Sequence, residues 1–373
     1  MFRFLGRAAE RAVNKVVLKP PYAVPLEAFI LHQGLFIVDL HADSLLWNRN
    51  LLARSRSGHA DLPRLLSGNV GLQVFGVVTR SPLGQNFYRN SGRGDRITAL
   101  SVSGGWPMRT WGSLLQRALY QARKLERLAA QSGGKLMLVR SAADLDELQA
   151  RRARNEPVVG GFPALEGAHA LLKRVDNVDR LYQAGFRMIG LTHFFDNQAA
   201  GSAHGRAKGG LTPFGRDLVR RVQAGHMLLD LAHASPRTID DVLEISTRPV
   251  IVSHTGVRGV HDHPRNLSDE HVRRIAASGG VIGIGLFEGA LPAPSMEMAV
   301  RSMRHVAMLA GVDAVALGTD FDGGVTAPVD ASGLPLLTEA LLAEGFDREE
   351  IARILGGNAV RVIRAALPEK AEG

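Results

Sequence analysis

At 373 residues, with 45% hydrophobic and 22% charged side chains, the chain has an ordinary globular make-up and the length of an α/β barrel with insertions. It contains no cysteine, which excludes disulfides and every thiolate metal site, so a metal must be held by His, Asp and Glu. The net charge of +9 does not imply nucleic acid, because beyond a basic start the Lys and Arg residues are scattered and lack interleaved aromatic residues for base stacking.

Residues 1–34 read as a basic N-terminal helix and lead-in. Phe2, Leu5, Ala9, Val13 and Val16 recur at helical spacing, with Arg3, Arg7, Arg11, Lys15 and Lys19 mostly on the other side, until Pro20-Pro21 stops the helix. Such a helix either docks on the main body or makes a peripheral membrane contact through residues 1–19. No continuous apolar stretch resembles a secretion signal, and no run of about 18 apolar residues could span a bilayer, so a cytoplasmic location is the default expectation.

From residue 35 to 373 a single domain is expected. Strands are predicted at Leu35–Leu40, Val70–Val78, Val158–Leu165, Met188–Leu191, Met227–Leu231, Pro249–Ser253, Gly280–Leu286 and Ala314–Leu317. Helical patterns lie between them at Pro213–Ala224, Pro236–Ile245, Ser268–Ser278 and Met296–Ala310. Eight strands alternating with helices predict a parallel sheet closed into a (β/α)₈ barrel of the TIM type; an open doubly wound sheet is the alternative. An insertion at 79–157 separates the second and third strands. Its start, Ser81–Gly105, reads as an irregular loop, followed by a helix at Trp111–Gln131, a short strand at Lys135–Val139 and a charged helix at Ser141–Asn155. Insertions of this length at a barrel mouth commonly shape a substrate pocket. Two C-terminal helices are expected from about residue 335.

The metal-capable residues fall at the C-terminal ends of these strands, the face on which barrel active sites are built. The first strand runs into His41-Ala42-Asp43, the third into Glu166, the fourth into His193, the fifth into His233, the sixth into His254 and the eighth into Asp320. In an HxD on a strand both side chains point the same way, so imidazole and carboxylate can grip one ion. His233 and His254, from adjacent strands, suit a second ion, and a glutamate between the sites can bridge both cations. Two metals sharing a water make hydroxide available near neutral pH and polarise a carbonyl.

The stretches DLHADSLLW at 39–47, LEGAHAL at 165–171, GLTHFFDN at 190–197, GLTPFGRDLV at 210–219, LDLAHAS at 229–235, PVIVSHT at 249–255, PRNLSDE at 264–270, ALGTDFDGG at 316–324 and ILGGNAVRVI at 354–363 carry a family resemblance. Taken in this order over nearly the whole chain from residue 36, they are similar to the membrane dipeptidase (renal dipeptidase) family of zinc peptidases, within the amidohydrolase superfamily. The resemblance implies two divalent ions, zinc first among them, with His41 and Asp43 on one, His233 and His254 on the other and Glu166 bridging. It further implies a hydroxide nucleophile oriented by Asp320, which carries its proton to the leaving amine, with His193 on the tetrahedral oxyanion and Arg265 on the C-terminal carboxylate of a dipeptide substrate. L-L dipeptides are the expected substrates, and L-D dipeptides are left open, as is a homo-oligomer. The alternatives are hydrolysis of a lactam, lactone or N-acyl amino acid at the same centre, or a non-catalytic barrel recruited to a membrane or partner.

The chain departs from the family after the seventh strand, where Leu286-Phe287-Glu288-Gly289 replaces the usual tyrosine and asparagine, and after His193, where Phe194 and Phe195 stand. Other metal-like features read as structural. His261-Asp262-His263 falls in a proline-containing loop, and His59, His169, His204, His226, His271 and His305 read as surface or supporting residues. Asp39 and Asp230, inside strands, are placed to fix the tautomer of a ligating histidine. Asp322 reads as a turn residue.

Overall fold

The computed structural model describes residues 10–370. The strands are β1 (Lys15–Val16), β2 (Ile37–Ala42), β3 (Val70–Val78), β4 (Leu136–Leu138), β5 (Val159–Glu166), β6 (Met188–Gly190), β7 (Leu228–Asp230), β8 (Ile251–Thr255), β9 (Val281–Ile284), β10 (Val315–Leu317) and β11 (Thr326–Ala327). Their apolar, β-branched sequences suit strands covered on both faces, and every residue of β2, β3 and β5 is buried. All pairings are parallel, in the order β2-β3-β5-β6-β7-β8-β9-β10, with β4 added outside β5. A parallel bridge between Ala42 and Phe321 brings the last strand back to the first, and the amides of Asp43 and Asp320 donate across that seam to Phe321 (2.8 Å) and His41 (3.1 Å). The result is a nearly closed eight-stranded parallel barrel of the TIM type.

The helices at Pro213–Ala224, Pro236–Ile245 and Met296–Ala310 have the predicted bounds because each carries its own start signal. Thr212, Ser235 and Ser295 cap them by accepting from the third helical amide, and Pro occupies the first position of the first two. Two expectations are corrected. The segment Ser81–Gly105 is not wholly irregular: Arg96–Ser103 is a helix capped by Asp95. The basic helix expected to continue to Pro20 ends by Val13; its first nine residues lie outside the described ones. Lys15–Val16 is instead a strand paired with Thr326–Ala327, because the amides of Lys15 and Val17 find the carbonyls of Val325 (3.0 Å) and Ala327 (2.9 Å). The tertiary pairing overrides a helical spacing that was amphipathic but short. Among the described residues no helix is long and apolar enough to cross a membrane.

His32 fastens the helix Leu26–Gln33 to the body, with Nε2 donating to the Gly68 carbonyl (2.9 Å) and Nδ1 accepting from Thr338 Oγ1 (2.7 Å). Burial lowers its pKa to about 4, so the folded ring is neutral while the unfolded one titrates near 6.5. The stability it contributes is present above pH 6.5 and is lost as pH falls towards 4. In urea titrations at pH 7 and pH 4, wild type should therefore lose about 3 kcal/mol more than His32→Gln over that interval. Equal losses in the two proteins would remove histidine protonation as the cause.

Candidate metal centre

The end of β2 turns His41 and Asp43 inward, and β3 makes room for them. A Cβ on Gly76 would lie 2.3 Å from Asp43 Oδ1 and 2.7 Å from His41 Nε2, so only glycine leaves these two side chains a cradle. Glu166 closes β5, His193 follows β6, His233 follows β7, and His254 lies in β8. His233 and Asp320 leave their strands at φ of 62° and 60°, left-handed conformations that His and Asp adopt more readily than most residues. These strained corners sit where the chain must turn sharply and still aim a side chain at the centre.

The expected ligands converge. Glu166 Oε1 lies 3.0 Å from His233 Nε2, 3.5 Å from His193 Nε2, 3.6 Å from His254 Nε2 and 3.7 Å from His41 Nε2. His41 Nε2 is 3.5 Å from Asp43 Oδ1, and the Nε2 atoms of His233 and His254 are 3.0 Å apart. Among the described residues three overlapping groups could hold a metal: His41, Asp43 and Glu166; Glu166, His193 and His233; and His41, His254 and Asp320. His193 and Asp320 thus stand within reach of the ligands as well as being candidates for chemistry.

The donor set fits divalent cations. Both ring nitrogens of His41, Asp43 Oδ1 and Glu166 Oε2 are buried without a hydrogen bond, a costly state for polar atoms unless an ion takes them up. Burial keeps His233 and His254 well below the usual histidine range, helped by the positive charges of Arg265 and His41 respectively, so both rings are neutral and able to ligate. Burial acts against protonation of His41, but the Glu166 and Asp43 carboxylates outweigh it and raise its pKa to about 10. Burial also pushes Glu166 well above the carboxylate range and Asp320 up to about 7, with the Asp43 charge adding to both. Without metal the cluster therefore retains protons at neutral pH that cations would displace.

Supporting residues set the orientation. Asp230 accepts from the Ser253 hydroxyl (2.6 Å), and Ser253 Oγ in turn accepts from His254 Nδ1 (2.9 Å), leaving His254 Nε2 bare towards Glu166. Asp39 accepts from the amide and hydroxyl of Thr319 (2.8 Å each), bracing the turn into Asp320. Ser253 had no signal in the sequence beyond its place beside His254. Asp322 faces away from the cavity: its carboxylate is buried against Arg49, Ser44 (2.5 Å) and the His59 amide (2.6 Å). Among the described residues His261 and His263 join no metal-capable group, although their rings stack on each other at 5.2 Å.

Above the ligands lies a small cavity of about 60 Å³, walled by Phe87, Phe194, Phe287 and Val325 and floored by Glu166, His233 and Asp320. Arg265 enters from the side. It is fully buried, one guanidinium nitrogen donates to the His254 carbonyl, and its Nε has no partner. Burial lowers its pKa to about 10, yet it remains a cation at neutral pH.

The membrane dipeptidase family, Peptidase family M19, matches residues 27–372. Dipeptidase tcpJ of Claviceps purpurea is 28% identical over 317 residues, covering 83% of this chain and 69% of that protein. The crystal structure of dipeptidase AC, a metallopeptidase of family M19, gives a TM-score of 0.74 at 24% identity and covers 89% of this chain and 99% of that one. A metallopeptidase from Rhodobacter sphaeroides, solved with a phosphinate mimic of the dipeptide L-Ala-D-Ala, gives 0.71 at 24% identity over 88% and 98% of the two chains. With the match running through every strand of the barrel, this chain belongs to the membrane dipeptidase family.

Proposed function

We propose that the chain hydrolyses the peptide bond of dipeptides at a binuclear metal centre, with His41 and Asp43 on one ion, His233 and His254 on the other, and Glu166 shared. The convergence of four histidine Nε2 atoms within 3.0–3.7 Å of one Glu166 oxygen carries this reading. Bound divalent ions, zinc first among them, would supply a hydroxide near neutral pH and polarise the scissile carbonyl.

The chain's own residues account for the rest. Asp320, held near neutrality in its proton affinity by burial, accepts a proton from the nucleophile and passes it to the leaving amine. Arg265 offers its unpartnered Nε and guanidinium face to the substrate's C-terminal carboxylate, which limits the substrate to two residues. His193 is assigned to the oxyanion. Burial lowers its pKa to about 4, so the ring is neutral, and it donates from Nε2 in the tautomer that gives up the long 3.3 Å contact between Nδ1 and the Arg80 carbonyl. The three phenylalanines exclude water and favour small or apolar substrate side chains.

Metal analysis of the purified protein, combined with hydrolysis rates for dipeptides with L or D second residues, tests the proposal. Close to two ions per chain are expected, and kcat/KM should fall by ~10²-fold or more when the C-terminal carboxylate is amidated, as for loss of a buried charge partner. Turnover of N-acyl amino acids, lactams or lactones in preference to every dipeptide would replace the proposed substrate class. The D-residue arm is included because the Rhodobacter sphaeroides relative accommodates a mimic of L-Ala-D-Ala.

A further inference from the structure

Among the described residues His204 belongs to no metal-capable group, yet it is fully buried directly behind one of the proposed ligands. It comes from the connection between β6 and the helix Pro213–Ala224, a stretch with no periodic pattern. Its Nδ1 lies 2.7 Å from the Phe87 carbonyl and its Nε2 lies 3.1 Å from His233 Nδ1. A carbonyl oxygen can only accept, so the proton of the neutral His204 ring sits on Nδ1 and its Nε2 has a lone pair. That lone pair requires the proton of His233 on Nδ1. His233 Nε2, 3.0 Å from Glu166 Oε1, is then the bare nitrogen presented to the centre.

The anchor of this relay is the insertion. Asn90 donates to the His204 carbonyl from its amide (2.7 Å) and from its side chain (3.1 Å). The Phe87 ring packs near Phe194 (5.8 Å) and His263 (5.0 Å), and it lies so close over Gly289 that a Cβ there would meet it at 2.8 Å. The same ring walls the cavity.

We infer that His204 is a positioning residue that sets the tautomer and ring orientation of His233 for metal binding, using the main chain of the cavity-covering loop as its reference. This rests on the binuclear centre proposed above. It adds a requirement that the ligand set alone does not contain, namely an acceptor behind His233 that is itself held by a donor bond to Phe87.

Zinc affinity of the full-length protein, measured by competition with a chromophoric chelator, tests the assignment in wild type, His204→Leu and His204→Gln. The leucine variant should bind one of two zinc ions ~10–100-fold more weakly, with the other unchanged. Glutamine can accept at its oxygen and donate from its nitrogen, so it should restore most of the loss. Should the leucine variant not fold, His204→Asn serves in its place: one methylene shorter, it cannot reach both partners and should show the same loss relative to glutamine. Wild-type affinity for both ions in the leucine variant, or equal loss in the leucine (or asparagine) and glutamine variants, would overturn the positioning role. Failure of wild type itself to bind zinc would instead remove the metal centre, so the two ideas fail separately.

Discussion

Replacing Asp320 with Asn is expected to lower kcat for a dipeptide by about 10²–10⁴-fold while leaving the metal content unchanged. The substitution preserves size, and Asn tolerates the left-handed φ of 60° at this position as well as Asp does, so the turn should fold normally. What it removes is the ability to take up and release a proton. Burial and the neighbouring Asp43 charge have raised the Asp320 pKa to about 7, where a carboxyl group can do both. Metal analysis in parallel is essential because Asp320 also stands within ligand distance of His41 and His254. Loss of one ion from the variant would make Asp320 a ligand and would leave the proton transfer unassigned.

Glu166→Gln should have the larger effect on binding. One Glu166 oxygen faces four imidazole nitrogens and the other has no hydrogen-bond partner, which puts this carboxylate between the two proposed ion sites. A carboxamide loses the negative charge and turns one end into a donor aimed at nitrogens that need to ligate. Zinc affinity should fall by well over the ~10–100-fold typical of losing a supporting partner, with turnover lost alongside. Metal-free stability should behave differently. Burial already makes ionisation of Glu166 unfavourable, so the variant without metal should be no less stable than metal-free wild type near pH 7, while the rise in Tm on adding zinc disappears. A variant that retains two tightly bound ions would refute the bridging role.

The clustering of these candidate ligands was legible in the sequence because they are tied to strand ends. The runs at Val70–Val78 and Val159–Glu166 are apolar on both faces, which only a covered parallel sheet explains, and the polar residue that ends such a run is forced to the barrel mouth. Helix bounds were legible where a Ser or Thr cap and a proline coincided. The supporting contacts were not, since they join residues with no common pattern: Thr319 to Asp39 across 280 positions, Asp322 to Arg49 across 273 and His204 to Phe87 across 117. The start of the chain misled for the same reason. The spacing of Val13 and Val16 fits a helix, but the free edge of Thr326–Ala327 supplies a better partner, and nothing near residue 15 announces it.

That pairing has a consequence for synthesis. Asn14 Oδ1 accepts from the Gly324 amide at 2.8 Å across 310 positions, and the His59 ring braces both Lys15 and Asp322. A ribosome adding 5–20 residues per second needs roughly 15–60 s to cover that distance. For that interval the early segment has no edge to join and the loop bearing Asp320 does not yet exist. Asp320, proposed above as the proton carrier, is thus made only after His41, Asp43, Glu166, His233 and His254, and the early segment waits for the edge at residues 326–327.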